Sequence, residues 1–159
     1  INLGGTMGSL GIEKEAKIFE NETAKIAPVI CYESIYGEYV TDYVSKGANV
    51  IFIITNDGWW EDTPGYKQHL AYAKMRAIET RRSIARSANT GISCFINQKG
   101  EILQATKWWE QDVISGKINL NSKLTFYAKH GDYIGRVAAF IGVLLIFWSL
   151  SLYFKQKFV

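Results

Sequence analysis

Short apolar runs along the chain predict buried β-strands. The first run covers residues 26–31, and the second, residues 50–55, shows no polar alternation, which predicts a strand covered on both faces. Between them, residues 35–46 place apolar and aromatic side chains at helical spacing, and Gly47 is suited to end that helix. This βαβ unit predicts two parallel strands whose carboxyl ends meet at one edge of a sheet.

A second helix and several short strands are predicted around this unit. Thr63 and Pro64 form a favourable helix start, and the helix is predicted to run to about residue 82. The glycine-rich residues 2–11 predict a surface loop. Short strands are predicted at residues 18–20, 83–87, 92–97, 101–106 and 113–119, with turns at residues 89–91 and 98–100.

Residues 137–154 have a different character, because these eighteen residues carry no charge. A run of that length can cross the hydrocarbon core of a membrane, and a buried core helix is the alternative. Tyr133 and Tyr153 flank the run as interfacial aromatic residues do, and Lys155 and Lys157 follow it. We predict a globular unit at residues 1–128, a juxtamembrane linker at 129–136, a transmembrane helix at 137–154 and a short basic tail at 155–159.

Composition excludes several function classes. With 159 residues, 48% of them hydrophobic and 21% charged, the chain can bury one core. The net charge is +3 without a basic run interleaved with aromatic residues, which argues against nucleic-acid binding. Cys31 and Cys94 could form one bridge, but two separate thiols are expected. Two histidines without close Cys/His spacing predict no metal site, and no cofactor is expected.

Cys31 is the candidate nucleophile, because it ends the first predicted strand at the sheet edge that residues 56–60 share. Helix-terminal amide groups at such a place favour a thiolate and can stabilise an oxyanion. Glu33 and Glu38 are acidic neighbours, so a nucleophilic Cys31 needs a base or a cation from elsewhere. His69 is within reach as a partner, although a helical histidine is more often structural. The alternative for Cys31 is a small buried hydrophobe.

Four motifs occur in a characteristic order: CYE at residues 31–33, NDGWW at 56–60, QH and RAIE within 68–79, and RSANTG at 86–91. In this order they resemble the carbon–nitrogen hydrolase (nitrilase) superfamily. With the terminal apolar run they resemble, more narrowly, the apolipoprotein N-acyltransferase family within it. The resemblance implies an α/β fold, in which residues 1–128 are the C-terminal part of a nitrilase-like α-β-β-α sandwich, followed by one transmembrane helix.

The resemblance also implies a Glu-Lys-Cys catalytic triad in which Cys31 is the nucleophile. Cys31 would take an acyl chain from a phospholipid as a thioester and pass it to the α-amino group of diacylglyceryl-cysteine at the N-terminus of an apolipoprotein. The family's Glu and Lys precede the cysteine by more residues than this chain contains. Because the chain also begins with Ile1 rather than Met, we read it as the C-terminal part of a longer protein and expect it to be inactive alone.

Further site residues are implied by the same resemblance. Glu33 matches a second acidic catalytic residue, although it could instead pair with an arginine. Tyr32 supplies a backbone N–H for the oxyanion, and Asn56, Trp59 and Trp60 match the loop that binds substrate. Asn56 could simply satisfy strand-end backbone groups, and the tryptophans could be core residues. Glu61, where the family often has glycine, leaves the shape of this loop open.

Two further groups of residues have predicted positions or roles. Trp108 and Trp109 either contact lipid or pack on the protein. A structural ion-pair set is predicted for Arg76, Glu79, Arg82 and Arg86.

The resemblance places the protein in the bacterial cytoplasmic (inner) membrane, multi-pass in its full length, as a monomer with the catalytic domain on the periplasmic side. The charges that flank the apolar run do not fix this orientation. One alternative is a membrane-tethered amidase of the same fold, since acyl transfer and hydrolysis differ only in the second nucleophile. Another is a non-catalytic anchored binding module in which Cys31 is inert.

Overall fold

The computed structural model describes residues 15–157, and the loop predicted at residues 2–11 lies outside them. The described residues form one six-stranded sheet in which the spatial order of the strands follows the sequence. The strands are β1 (Phe19–Glu20), β2 (Lys25–Ile30), β3 (Val50–Asn56), β4 (Ile84–Asn89), β5 (Cys94–Ile96) and β6 (Ile102–Ala105). The helices are α1 (Gly37–Ser45), α2 (Pro64–Thr80), α3 (Phe126–His130) and α4 (Tyr133–Lys157), with 3₁₀ turns at Cys31–Ile35 and Asp57–Trp60.

The centre of the sheet is parallel, as the βαβ pattern predicts. β2 pairs with β3 and β3 with β4 in parallel, whereas β1, β5 and β6 pair with their neighbours in antiparallel fashion. Ile30 lies opposite Ile54, and Asn56 lies opposite Asn89. The carboxyl ends of β2, β3 and β4 therefore meet at one edge, which confirms the predicted placement of Cys31 beside the loop that begins at Asn56.

The core lies between α1, α2 and one face of the sheet. Ile51 and Ile53 of β3 are almost completely buried there. Ala73 and Ala77, four residues apart on α2, present a small-residue stripe that lets the helix approach the sheet closely. The same cluster contains Ala27, Val29, Val40, Tyr43, Leu70, Ile84, Cys94 and Ile96.

The prediction that residues 50–55 are covered on both faces is wrong for the described part of the chain. Phe52 and Ile54 alternate with the buried residues of β3 and are 37% and 55% exposed. The apolar pattern indicates that both faces of the strand are apolar. It does not indicate whether another element packs on each face. Within residues 15–157, helices cover only one face of the sheet, the face that packs on α1 and α2.

The strand predicted at residues 113–119 is also wrong, because this segment is irregular. Val113 is 89% exposed. Val113 and Ile114 line a cavity of about 370 Å³ together with Phe52 and Ile54. The segment thus lies over the open face of the sheet instead of extending its edge.

The two predicted long helices are present with shifted ends. Thr63 caps α2, since its Oγ1 accepts a hydrogen bond from the amide of Gly65, and Pro64 is the first helical residue. The helix ends at Thr80 because Arg81 adopts a left-handed conformation, with φ of 52°. α4 begins before the predicted apolar run, and Tyr133–Gln156 is long and apolar enough to cross a membrane. None of its apolar window is buried against the other residues that the structure describes.

Candidate active site

Cys31 adopts an unusual backbone conformation where β2 passes into the first 3₁₀ turn. Its φ is 49°, in the left-handed region that residues other than glycine rarely adopt. The predicted strand over residues 26–31 therefore ends at Ile30, and Cys31 itself turns the chain. Such a conformation persists only when surrounding contacts hold it, and residues that adopt it are concentrated at functional sites.

The backbone carbonyl of Cys31 is held by two side chains. Ser34 Oγ donates a hydrogen bond to this oxygen at 2.8 Å. Nε2 of His69 lies 3.1 Å from the same oxygen and 3.0 Å from Ser34 Oγ. The predicted alternative of a Cys-His pair is thus not formed, because the histidine ring is directed at the Cys31 carbonyl oxygen. The ring supports the turn that presents the thiol.

The sulfur of Cys31 contacts the hydroxyl group of a buried threonine. Thr55 Oγ1 lies 3.2 Å from Cys31 Sγ and 3.1 Å from Asp57 Oδ1. Thr55 is 6% exposed, and it is the penultimate residue of β3. One hydroxyl group therefore lies between the thiol and a buried carboxylate.

Asp57 is the centre of a buried charged network behind Cys31. It is completely buried, and its Oδ1 lies 2.9 Å from His69 Nδ1 while its Oδ2 accepts a hydrogen bond from Arg86 Nη2 at 2.6 Å. Burial by itself raises the pKa of Asp57, but the hydrogen bonds from His69 and Arg86 outweigh it and hold the pKa below its usual range. Asp57 is therefore a carboxylate at neutral pH.

His69 connects this carboxylate to the nucleophile turn. A carboxylate can only accept hydrogen bonds, so the contact with Asp57 requires a hydrogen on Nδ1 of His69. With Nδ1 directed at Asp57, Nε2 faces the nucleophile turn, within hydrogen-bond distance of the Cys31 carbonyl oxygen and of Ser34 Oγ.

The turn after β4 approaches Asp57 so closely that it needs a glycine. A Cβ atom at Gly91 would lie 2.5 Å from Asp57 Oδ2. Such a contact is sterically forbidden without a shift of the loop or of the carboxylate. The glycine of the RSANTG motif thus leaves space for the buried carboxylate.

Glu33 is anchored next to Cys31 by its own carboxylate oxygens. Oε2 accepts the backbone N–H of Ile30 at 2.7 Å, and Oε1 accepts the hydroxyl of Tyr39 at 3.1 Å. These contacts differ from the arginine pairing considered as an alternative. They orient Glu33 at the same turn as the thiol, where the resemblance predicts a second acidic residue.

Aromatic rings cover the opposite side of the turn. Trp60 is stacked on Tyr32 with ring centroids 6.2 Å apart and on His69 with centroids 5.3 Å apart. Trp59 next to it is 78% exposed, so it is not a core residue of the described structure. Asn56 Oδ1 accepts the amide N–H of Gly58, as expected of a residue that satisfies strand-end backbone groups.

A cavity of about 630 Å³ extends from this turn towards α4. Glu33 and Ile35 of the 3₁₀ turn line it at one end, and Tyr127 and Asp132 line it near the start of α4. Asp132 immediately precedes the first residue of α4. The space next to the nucleophile turn is therefore continuous with the surface from which the apolar helix begins.

The predicted ion-pair set is correct for one pair only. Arg76 Nε lies 2.8 Å from Glu79 Oε2. Arg82 instead donates to the backbone carbonyls of Ala48, Thr80 and Lys123. Arg86 pairs with the carboxylate beneath Cys31, so it belongs to the site.

Cys94 and Trp108 pack against other residues of the protein and lie apart from the turn at Cys31. Cys31 and Cys94 are free thiols, as expected from the sequence. Cys94 is completely buried, and burial raises the pKa of its thiol to about 11. Trp108 is stacked on Tyr66 with centroids 3.9 Å apart, whereas Trp109 is 63% exposed.

Sequence reasoning missed Ser34, Thr55 and Asp57 as residues of the site, and it assigned Arg86 to a structural ion-pair set instead. Asp57 was visible as the acidic residue of the NDGWW motif, and a buried position directly after a strand was its signal. Thr55 had a weaker signal, as a hydroxyl residue that ends an apolar run. Ser34 follows the CYE motif without a distinguishing pattern. Asn56, Trp59, Trp60, Tyr32 and Glu33 all lie at the same edge as Cys31. The catalytic role predicted for Glu33 and the substrate-binding roles predicted for the other four stay predictions.

Comparison with known proteins places these features in a family. The sequence profile of carbon–nitrogen hydrolases matches residues 6–123. A Chlorobaculum tepidum protein named apolipoprotein N-acyltransferase is 39% identical over 128 residues, which are 80% of this chain and 24% of that protein. The protein of the same name from Shewanella oneidensis is 36% identical over 108 residues, 68% of this chain and 21% of that protein. These matches confirm the resemblance drawn from the four motifs.

A solved structure confirms the fold. The crystal structure of a carbon–nitrogen hydrolase from Helicobacter pylori G27 aligns with a TM-score of 0.57 at 14% identity, covering 64% of this chain and 43% of that chain. The chain thus has a nitrilase-type α/β fold with a mixed sheet, followed by one apolar helix that could cross a membrane. It spans about a quarter of the length of the curated relatives that it matches.

Proposed function

The chain belongs to the carbon–nitrogen hydrolase family, and on that premise we propose that it carries the nucleophile of a membrane enzyme that N-acylates lipoproteins. Similarity to proteins named apolipoprotein N-acyltransferase supports lipoprotein N-acylation as the class of reaction. The family supports enzymatic activity of some kind, and the apolar helix α4 supports a membrane location.

One observation carries the choice of nucleophile. Cys31 has a φ of 49° at the carboxyl edge of the parallel strands, where its carbonyl is fixed by Ser34 and its sulfur contacts Thr55. A buried structural cysteine needs none of these supports, and Cys94 illustrates that case, since it is enclosed in the core.

In the proposed first half-reaction, the Cys31 thiolate attacks the ester carbonyl of a phospholipid. A C–S bond forms and the ester C–O bond breaks, so the acyl chain becomes a thioester and a lysophospholipid leaves. A base takes the thiol proton and returns it to the departing alkoxide oxygen. We propose that this base and a nearby lysine come from sequence outside this chain, as the family resemblance implies.

In the second half-reaction, the α-amino group of diacylglyceryl-cysteine at the N-terminus of an apolipoprotein attacks the thioester carbonyl. A C–N bond forms and the C–S bond breaks, and the base moves the proton released by the amine to the Cys31 sulfur. The oxyanion that forms in both steps needs fixed hydrogen-bond donors, and the backbone N–H of Tyr32 is proposed as one of them.

Other residues at the turn have proposed roles in binding. Glu33 is fixed beside Cys31 by Ile30 and Tyr39, which suits a carboxylate that positions the attacking amine. Trp59, Trp60 and Asn56 are proposed to form the wall against which the acyl chain lies. The exposed ring of Trp59 next to the turn supports this assignment, because acyl chains need apolar surface.

The proposed setting is the bacterial inner membrane, with α4 in the bilayer and the sheet on the periplasmic side. The cavity between Glu33 and Asp132 supports this arrangement, since it opens towards the start of α4. In this arrangement, the ester group of a lipid donor moves only a short distance from the bilayer to reach Cys31. We propose that the protein acts as a monomer with these lipid and lipoprotein substrates.

The deciding experiment follows acyl transfer in the intact protein, meaning this chain with any sequence that adjoins it in its gene. The protein is incubated with phospholipid vesicles, and mass spectrometry locates a hydroxylamine-sensitive acyl group. We expect a thioester on Cys31 that is consumed when a diacylglyceryl-cysteine peptide is added. We expect Cys31→Ala to abolish both events and Cys94→Ala, a matched cysteine variant, to retain them.

The other outcomes identify the alternatives. Turnover of small amides without a lipid-derived thioester would replace the acyltransferase by a membrane-tethered amidase. A folded protein that performs neither reaction would indicate an anchored binding module. Acyl transfer that persists in Cys31→Ala would refute the nucleophile assignment. The isolated chain is expected to show no turnover, and activity in it would refute the proposal that the base lies outside.

A further inference from the structure

We propose that Thr55 is a catalytic residue of this site. Its hydroxyl group donates a hydrogen bond to the Cys31 sulfur when that sulfur is a thiolate, and to Asp57 when the sulfur is protonated. The inference rests on the proposed nucleophilic role of Cys31. It goes beyond that role because it assigns a defined hydrogen-bond donor to the reacting atom, from a strand residue outside the sequence motifs.

The geometry gives Thr55 two competing acceptors. Its Oγ1 lies 3.2 Å from Cys31 Sγ and 3.1 Å from Asp57 Oδ1. A threonine hydroxyl has one hydrogen to donate and can accept in return. The group therefore cannot donate to the sulfur and to the carboxylate at the same time, and the protonation state of the sulfur decides between them.

With Cys31 as a thiol, the S–H group donates to Thr55 Oγ1, and the hydroxyl donates to Asp57 Oδ1. With Cys31 as a thiolate, the hydroxyl hydrogen turns to the sulfur. Asp57 Oδ1 then keeps the contact with His69, and Oδ2 keeps the hydrogen bond from Arg86. The buried carboxylate is satisfied in both states, so it can release the Thr55 hydrogen without being left unpaired.

Burial makes this donor effective. Thr55 is 6% exposed and Asp57 is completely buried, so bulk water does not replace the hydroxyl at the sulfur from this side. A hydrogen bond to a charged acceptor in such surroundings is stronger than one between neutral groups. Each acyl transfer cycle passes through the thiolate twice, first as the attacking group and then as the leaving group.

Thr55 does not act as the base that accepts the proton of the Cys31 thiol. The hydroxyl keeps its own hydrogen throughout, and the proton of the thiol goes to the base that the proposed function places outside this chain. Thr55 therefore changes the stability of the thiolate, but it forms and breaks no covalent bond itself. Its removal is expected to slow both half-reactions by a similar factor and to change KM little.

The experiment compares Thr55→Val, which keeps the shape and removes the hydroxyl, with Thr55→Ser, which keeps the hydroxyl. In the intact protein, the alkylation rate of Cys31 by iodoacetamide is followed at neutral pH by peptide mass spectrometry, beside kcat and KM for acyl transfer. We expect Thr55→Val to lower the alkylation rate and kcat about 10-fold to 100-fold. Thr55→Ser is expected to restore most of both rates.

Thr80→Val is the matched control, because Thr80 is a buried threonine that donates to the carbonyl of Arg76 away from Cys31. It is expected to leave the alkylation rate unchanged. Wild-type alkylation and kcat in Thr55→Val, or equal losses in Thr55→Ser, would overturn the assignment. If Thr55→Val does not fold, Thr55→Ala against Thr55→Ser makes the same comparison. Acyl transfer that persists in Cys31→Ala would instead refute the proposed nucleophilic role of Cys31, on which the inference rests.

Discussion

Nε2 of His69 lies 3.1 Å from the carbonyl oxygen of Cys31, so this histidine supports the backbone of the candidate nucleophile and not its sulfur. The other ring nitrogen faces Asp57, which in turn binds Arg86. A chain of contacts thus runs from a buried arginine to the strained turn at Cys31. Contacts of this kind hold a residue in a left-handed conformation that it would otherwise leave.

Replacement of His69 by alanine is expected to lower kcat for acyl transfer about 10-fold to 100-fold with little change in KM. Asp57 loses a hydrogen-bond donor and the turn at Cys31 loses its contact with Nε2, so stability is expected to fall by about 1 to 3 kcal/mol. Enzyme kinetics and urea unfolding of the intact protein measure the two effects. His130→Ala is the control, because the ring of His130 packs on Phe126 at the surface. Full activity in His69→Ala would contradict the positioning role.

Asp57→Asn is expected to change how stability depends on pH. The pKa of Asp57 is lowered from 3.8 in the folded protein, so the ionised carboxylate stabilises the fold above that pH. This contribution is lost as the pH falls through the lowered pKa and Asp57 becomes protonated. Asp57→Asn lacks this contribution at every pH. The difference in stability between the wild-type protein and Asp57→Asn is therefore largest at neutral pH and becomes smaller in acid. Urea midpoints measured from neutral to acidic pH test this, and a difference that stays constant would contradict it.

Gly65 is expected to tolerate no side chain, because a Cβ atom there would overlap Cδ1 of Trp60. Gly65→Ala must displace Trp60 from His69, and overpacking of this kind destabilises by about 1 to 3 kcal/mol. The matched control is Gly142→Ala, since nothing lies within 4 Å of a Cβ atom at Gly142. The measurement is urea unfolding in a double-mutant cycle. Gly65→Ala should be nearly neutral in a Trp60→Ala background, and an equal loss there would exclude the clash.

Much of the site could be predicted because parallel strands bring their carboxyl ends together. Once residues 26–31 and 50–55 were identified as strands of a βαβ unit, Cys31 and Asn56 had to share an edge. The helix start at Thr63 and Pro64 could be predicted for an equally local reason, since capping depends on adjacent residues. These inferences need only sequence neighbours and one rule of topology.

The direction of individual side chains could not be predicted in the same way. His69 was correctly placed near the edge, but which atom of Cys31 it faces depends on the rotation of α2 and on Asp57. The φ of 49° at Cys31 leaves no pattern in the sequence, because it is imposed by Ser34 and His69 from other positions. Apolar periodicity also cannot tell a covered face from an open one, as Phe52 shows.

Arg82 provides the last prediction, since the sequence pattern assigned it to an ion-pair set. It is completely buried, and its guanidinium donates to the carbonyls of Ala48, Thr80 and Lys123. Burial lowers the pKa of Arg82 to about 10, so the group stays charged at neutral pH. It joins the end of α1, the end of α2 and the segment before α3.

Arg82→Met is therefore expected to destabilise the protein by about 3 to 5 kcal/mol, because three backbone carbonyl groups lose their donor, two of them in buried hydrogen bonds. Arg81→Met is the adjacent control: Arg81 is exposed and donates to the carbonyl of Gln98 at 3.2 Å. Urea unfolding of both variants measures the difference. Equal stability of the two would show that the carbonyl contacts of Arg82 contribute little, whereas a large loss confined to Arg82→Met identifies this buried cation as the link between the helices and the segment that leads to α4.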